Sequence, residues 1–395
     1  MVQGPRLAVL DDGPFVRTHS GELRPVAATF NRFVEAVART GAFGRVRYIV
    51  PVRDLRIWEL EPALDPVDEG LLEVVPTTSF SGIADYLLRA AYVATRNWHP
   101  IQRAVGASDL VWLRLPASNA LLALTAARRH GVAHFGWLAG SVADVVGAQR
   151  RLPPLDLAAR AVGTAYDAVS ALVGRSGPLI PLDANFFASV INAQDVEQTR
   201  ANMAPIRAGP PWRVVWAGRM AGEKGVHDLI EAFRLLLHGG CDATLVLVGD
   251  GPARPDVELR LSTLPPDRVE DYGYVGDRRS YMDLLRSGDL FVHPSQADGV
   301  PKVLVEAMAA GLPILAAAAG ATREVLADGE RGVIMPSTET DVLERQMRGL
   351  LSDSELRTRL RTRGLDWASA HTSEDQARRL VDWMRSAFPD LAWVE

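Results

Sequence analysis

HPSQADGVPKVLVEAMAAGLPIL, residues 293–315, reads as a strand, a loop, a helix, a stop and a second strand. Pro301 stands where a helix takes its first residue. Gly311 is placed to end the helix, and Pro313 follows it as a further stop. The unpaired N–H groups at the start of such a helix make an anion site. Asp298 lies in the loop before the helix. Glu306 lies about one and a half turns inside it, on the same side as Lys302 and Val303. Its neighbours Val303, Leu304, Val305, Ala307, Met308 and Ala309 are apolar, so the helix is mostly buried and a glutamate there needs a partner. One carboxylate near the helix start and one deeper in can grip sugar hydroxyls on either side of a bound diphosphate.

A second stretch, GRMAGEKG (residues 218–225), follows a predicted strand and opens a predicted helix. Of the 43 residues counted as lysine plus arginine, only Lys224 and Lys302 are lysines, and each lies in one of these two loops. An ammonium is a compact point charge and a guanidinium a planar fork, so Arg219 and Lys224 on one loop suit a diphosphate. GDGP, at 249–252, is a tight loop after another strand, and such tetrapeptides are common turns.

The bulk numbers bound the rest. A chain of 395 residues suggests two domains. A hydrophobic content of 48% with 23% charged residues describes an ordinary globular protein, and a net charge of −5 argues against a nucleic-acid binder. The single cysteine, Cys241, excludes a disulfide framework within the chain and fits a reducing, cytoplasmic setting. The N-terminal apolar run, Leu7 to Leu10, is too short for a signal peptide, and no apolar stretch is long enough to span a membrane.

Strand-like runs at 7–10, 46–50, 71–75, 110–115 and 133–138 alternate with helical patterns at 26–39 and 120–130, which marks an α/β domain with a parallel sheet. Pro51 is expected to stop the second of these strands. The polar stretch 192–211 reads as the domain boundary. Beyond it the same alternation restarts: strands at 213–217, 244–248, 272–275, 290–293 and 312–316, helices at 226–238, 281–287 and 301–310, then closing helices at 341–363 and 374–387. The expected domains are 1–190 and 191–395, with a last helix (about 374–388) packing back on the first domain. Two such units imply a ligand cleft between them.

The motifs VVWAGRMAGEKGVHDLIEAF, LVLVGDGP, YVG and PSQADGVPKVLVEAMAAGLPIL, within about 213–326, resemble the nucleotide-binding half of glycosyltransferase family 4. The N-terminal half is similar to that family only in its order of strands and helices. The resemblance implies an α/β GT-B fold, two Rossmann-like domains with parallel sheets facing a central cleft. It implies a retaining hexosyltransferase that uses a nucleotide-sugar co-substrate, UDP being the prior, with no metal or other cofactor. Arg219 and Lys224 would hold the donor diphosphate, Glu306 the ribose hydroxyls and Asp298 the donor sugar. Asp298 stands where the family usually has glutamate, one methylene longer. Backbone groups at Gly218, Gly299, Val300, Val303 and Leu304 would meet sugar and phosphates, Gly249 and Val275 would flank the base, and Lys302 would reach a phosphate or sugar hydroxyl.

The N-terminal loop lacks the family's paired glycines, leaving Gly13 and Gly21 as candidates for close donor approach. His134 is the nearest candidate for a catalytic-site histidine, although a satisfied strand histidine is the preferred reading. Gly140, Ser141 and Asp144 are the acceptor candidates. The acceptor expected is a small molecule or a glycan. Asp11-Asp12 reads as a turn, not a metal motif. Three alternatives stand beside this reading: a sugar-nucleotide epimerase of the same shape, a non-catalytic nucleotide-sugar binder, and a peripheral membrane glycosyltransferase acting on a lipid acceptor, docking through the arginines of 89–129 with Trp98 and Trp112. For that last segment a solvated helix followed by a strand is preferred.

Overall fold

The computed structural model describes residues 4–26, 30–56, 59, 65–78, 85, 88–138, 153–180 and 186–394, with backbone alone at 153–159, 162, 166 and 169. The chain divides into two compact units, the first made of Met1–Leu182, Phe186–Ala188 and Ser373–Glu395, the second of Asp183–Asn185 and Ser189–Thr372.

Unit 1 is built on strands β1 (Arg6–Leu10), β2 (Phe15–Arg17), β3 (Leu23–Pro25), β4 (Arg45–Asp54), β5 (Leu72–Thr78), β6 (Leu110–Leu115), β7 (Ala133–Leu138) and β8 (Leu179–Ile180). They form one sheet in the order β3-β2-β4-β1-β6-β7-β8, with β5 also on β4 and only β2–β3 antiparallel. Alternation along the strands fills two separate cores. Leu7, Val9, Leu110 and Trp112 face one side, against helices α1 (Phe30–Arg39) and α13 (Ser373–Ala387). Ala8, Leu10, Val111 and Leu113 face the other, against α2 (Ala90–Gly106) and α3 (Ala120–His130). Helix α4 (Pro153–Gly174) precedes β8.

Unit 2 contains α5 (Ala193–Asn202), β9 (Trp212–Ala217), α6 (Val226–His238), β10 (Ala243–Val248), α7 (Arg254–Leu261), β11 (Val269–Asp271), α8 (Arg278–Arg286), β12 (Leu290–His293), α9 (Lys302–Ala309), β13 (Ile314–Ala317), α10 (Thr322–Val325), β14 (Val333–Met335), α11 (Thr340–Ser352) and α12 (Ser354–Ser369). Its six strands are all parallel, in the order β11-β10-β9-β12-β13-β14.

Several expectations are corrected. Pro51 does not stop β4: the strand's pairing passes from β1 (through Ile49) to β2 (from Val52), and the residue without an N–H falls between the two. The helix expected from Val26 is described over Phe30–Arg39, and Val26 itself is a bend after the hairpin of Leu23–Pro25 with β2. The stretch 272–275 is not a strand; β11 lies just before it, and Tyr272 and Tyr274 are exposed beyond its end. Residues 193–202, read as part of a boundary, form α5, which Asn192 and Asp195 start with a reciprocal capping box. The helix expected over 341–363 is two helices, broken at Asp353, whose carboxylate caps α12 through Leu356 N at 2.8 Å. Pro301 is the N-cap of α9 rather than its first residue.

The arginine-rich segment 89–129 is α2, β6 and α3. Trp112 is fully buried in the sheet, and Trp98, on α2, is partly buried against the core. Among the described residues no helix is long and apolar enough to cross a membrane.

Candidate functional site

In unit 2 the strand order reverses between β9 and β12, so the loops that follow these two strands leave the same edge in opposite directions and open a crevice. The β9 loop runs from Gly218 through a 3-10 turn (Gly222–Lys224) to Gly225, which starts α6 in the left-handed conformation (φ 66°). A Cβ at Gly225 would stand 2.2 Å from the carbonyl oxygen of Pro294, so only glycine lets the β9 and β12 loops meet. Gln296 N donates to Glu223 O at 2.8 Å across the same junction.

That junction delivers Lys224 to Asp298. Lys224 Nζ donates to Asp298 Oδ1 at 2.7 Å and to Ala297 O at 3.1 Å. The other carboxylate oxygen accepts from His293 Nε2 at 2.8 Å, at the carboxyl end of β12. Burial pushes the Asp298 carboxyl up, but the hydrogen bond and charge of His293 and then the Lys224 ammonium outweigh it and bring it down to about 2. Arg219 pairs with Glu223 Oε1 at 2.5 Å. Both expected diphosphate cations therefore already hold a carboxylate of their own chain.

A cavity of about 220 Å³ lies between the two loops. One wall is Trp216, Gly218, Arg219 and Lys224; the other is His293, Asp298 and the first turn of α9 from Val300 to Val303, Lys302 included. Gly249 lies behind the β9 loop. Gly218 N donates to Val248 O at 3.0 Å, and a Cβ at Gly249 (φ 140°) would fall 1.9 Å from Gly218 O. Gly249 N in turn reaches Gly273 O at 2.7 Å, on the loop that leads to Val275. Gly299 O accepts from Ala321 N at 2.9 Å, and Leu304 is fully buried.

Glu306 is not among the residues lining this cavity. It is nearly buried on α9, and the partner its apolar setting demands comes from α8. Arg278 Nη1 meets Oε1 at 2.5 Å and Tyr281 Oη donates to Oε2 at 2.8 Å. Arg278 also binds Asp195 Oδ2 at 2.8 Å, which ties α8 and α9 to α5. Asp195, Arg278, Tyr281, His293 and Glu223 had no role assigned from sequence. Only His293, at the end of a predicted strand and inside the decisive motif, carried a signal that could have found it.

In unit 1 the strand order reverses between β1 and β6, and a second polar group sits there. Asp11 accepts from Tyr48 Oη at 2.8 Å and from Arg114 Nη1 at 2.6 Å. Asp12 accepts from Ser118 N at 2.6 Å and Ser118 Oγ at 2.8 Å. Burial raises the Asp12 carboxyl to about 6, against the pull of the Ser118 bonds.

Gly13 lies in the loop after β1 beside Asp11, where a Cβ would stand 2.7 Å from Asp11 Oδ2, whereas His134 and Gly21 lie away from these edges. His134 is the second residue of β7, near its amino end, where its Nε2 bonds Ser176 Oγ at 2.9 Å. Gly21 (φ 89°) makes the exposed turn between β2 and β3. Gly140, Ser141 and Asp144 lie outside the described residues. Among the described residues no three of His, Cys, Asp and Glu are grouped so as to hold a metal.

Residues 200–367 match the family described as "Glycosyl transferases group 1". The β9 and β12 loops lie inside that span, which covers less than half of the chain. Over 148 residues the chain is 34% identical to an alpha-D-kanosaminyltransferase of Streptomyces kanamyceticus, a match that spans 37% of this chain and 38% of that protein. Two solved structures follow the chain almost throughout. Sucrose-phosphate synthase from Thermosynechococcus elongatus superposes with a TM-score of 0.70 at 17% identity, covering 98% of this chain and all of that one. Anabaena Alr3699/HepE in complex with UDP and glucose superposes with a TM-score of 0.63 at 16% identity, covering 97% of this chain and all of that one. At these identities the likeness concerns the fold.

Proposed function

We propose that this chain is a retaining, metal-independent glycosyltransferase that moves a hexose from a nucleoside diphosphate, UDP first, to a hydroxyl of a small-molecule or glycan acceptor. The observation that carries the reading is the meeting of Lys224, Arg219, Lys302 and the start of α9 around one cavity at the reversal point of the unit 2 sheet. This is an anion-binding arrangement with a carboxylate, Asp298, inside it. The kanosaminyltransferase relative is named for transfer of a sugar, and the HepE neighbour was solved with UDP and glucose, which supports a nucleotide-sugar co-substrate.

The chemistry follows from charge. As the bond from the sugar to the diphosphate breaks, negative charge grows on the leaving oxygen. Arg219, Lys224 and the helix start stabilise it without reorganising, and no metal ion is required. The acceptor hydroxyl attacks from the face the diphosphate leaves, and a diphosphate oxygen takes its proton. Asp298, held ionised by His293 and Lys224, accepts a hydrogen bond from a donor-sugar hydroxyl. Donor arrival draws Arg219 toward the phosphates and away from Glu223, while Lys224 bridges diphosphate and Asp298.

Calorimetric titration with UDP and GDP tests the reading first, and tight binding of one of them names the base. With that donor, Lys224→Ala is expected to lower kcat by about 10²–10³-fold, the cost of losing one preorganised electrostatic group. Failure of both nucleotides to bind, or a Lys224→Ala enzyme with undiminished turnover, would remove the donor site. Full activity in EDTA and product of unchanged anomeric configuration by NMR are the expected outcomes for metal independence and retention.

A further inference from the structure

We propose that Arg278 and Tyr281 are positioning residues for the nucleotide ribose, holding the Glu306 carboxylate aimed so that the site prefers ribonucleoside over deoxyribonucleoside diphosphates. This rests on the reading of Glu306 as the ribose ligand.

Glu306 sits on a helix whose other interior residues, Leu304, Val305, Ala307, Met308 and Ala309, are buried and apolar. A carboxylate there needs partners. Arg278 supplies one at Oε1, and the Tyr281 hydroxyl fixes Oε2. Arg278 is itself pinned: Nη2 and Nε reach Asp195 Oδ2 at 2.8 and 3.3 Å, and Asp195 is locked by its capping box with Asn192. The side chain of Glu306 therefore has little rotational freedom left.

Two features say what it is held for. Each carboxylate oxygen has two acceptor directions, and one protein donor on each leaves acceptor capacity on both. The charge count also has a sign. Asp195 and Glu306 share the single cation Arg278, while the neighbouring Arg286 is taken up by Asp283 at 2.8 Å. The cluster carries one net negative charge, which repels phosphate and calls for neutral hydrogen-bond donors. A ribose diol supplies them. Arg219, Lys224 and Lys302, counted with the partners Glu223 and Asp298, leave a net positive charge, suited to the diphosphate. The polarity of the two groups orients a nucleotide.

The test compares UDP with 2′-deoxy-UDP (or GDP with 2′-deoxy-GDP, whichever base binds) by calorimetry on the full chain. Wild type should prefer the ribonucleotide about tenfold or more, the worth of a hydrogen bond to a charged acceptor. Glu306→Gln should largely abolish that ratio. Tyr281→Phe, a mild change, should reduce it several-fold, and Arg278→Met should bring it near one, both leaving the affinity for the deoxynucleotide nearly unchanged. A purely structural role would instead lower both affinities together and keep the ratio, and that result overturns the proposal. If Glu306→Gln alone collapses the ratio while Tyr281→Phe and Arg278→Met preserve it, Glu306 is a ribose ligand that these two residues do not position. If wild type itself does not discriminate, or Glu306→Gln keeps the preference, the ribose reading of Glu306 fails, and this proposal with it.

Discussion

At the residue scale, two aspartates at strand ends respond to burial in opposite ways because their neighbours differ. Asp298 meets an ammonium and an imidazole N–H, and its carboxyl falls to about 2; at Asp12 burial outweighs the bonds from the Ser118 amide and hydroxyl, and its carboxyl rises to about 6. The signs for stability follow from linkage. An unfolded aspartate ionises near 3.8. Folded Asp12 still holds its proton above that pH, so stability falls as pH rises from about 4 to about 6, by on the order of 3 kcal/mol in full. Asp12→Asn is therefore expected to raise the melting temperature relative to wild type at pH 7.5, and to lose that advantage at pH 4. A pH-independent difference in Tm would mean that Asp12 is ionised normally. For Asp298 the depressed value stabilises the fold by on the order of 2 kcal/mol, present above the unfolded value and lost only as pH falls toward 2. Asp298 and Lys224 were legible from sequence as loop residues of a phosphate-handling type. Their mutual salt bridge was not, because 74 residues separate them and only the parallel pairing of β9 with β12 brings their loops together.

At the scale of elements, the β–loop–α units of the second half were read almost to the residue: 226–238 and 290–293 agree with α6 and β12. Their apolar periodicity is strong and their ends carry glycine and proline punctuation. The failures have a common physical origin. Helix α5 is polar and was missed; side chains of a distant helix hold it in place, with Arg286 Nε on Thr199 Oγ1 at 2.9 Å and Arg278 on Asp195. Strand β11 reads VED, with no alternation, and owes its place to backbone pairing with β10. The junction of the β9 and β12 loops has its own test. Alanine at Gly225 must adopt a left-handed backbone and push against the Pro294 carbonyl. Gly225→Ala is expected to lower unfolding stability in urea by roughly 2 kcal/mol or more and to weaken nucleotide binding, since Lys224 moves with it. Unchanged stability would show that the two loops do not need their close approach.

At the scale of the molecule, the chain leaves unit 1, builds unit 2 and returns, so that α13 completes the core of the unit where the chain began. Leu380 and Met384 on α13 are fully buried beside Phe33, Trp112 and Phe135 of unit 1, and Gln376 Oε1 accepts from Phe187 N at 3.3 Å. Leu380→Ala is expected to cost about 2–5 kcal/mol, read as a fall in the urea midpoint of unit 1. A change under about 0.5 kcal/mol, the level of a surface substitution, would mean that α13 does not contribute to that core. What the sequence by itself determined is local and periodic: two runs of alternating strands and helices, the helix starts and stops, and two loops rich in glycine and cations. These are legible because backbone sterics and apolar spacing act within a few residues. Strand order, and with it the reversal points where polar loops gather, was decided only in three dimensions. So were the pairing of Lys224 with Asp298 and the retention of Glu306 by Arg278 and Tyr281. Each depends on burial and on partners far away in the chain, and a buried charge takes its meaning from whatever the fold places beside it.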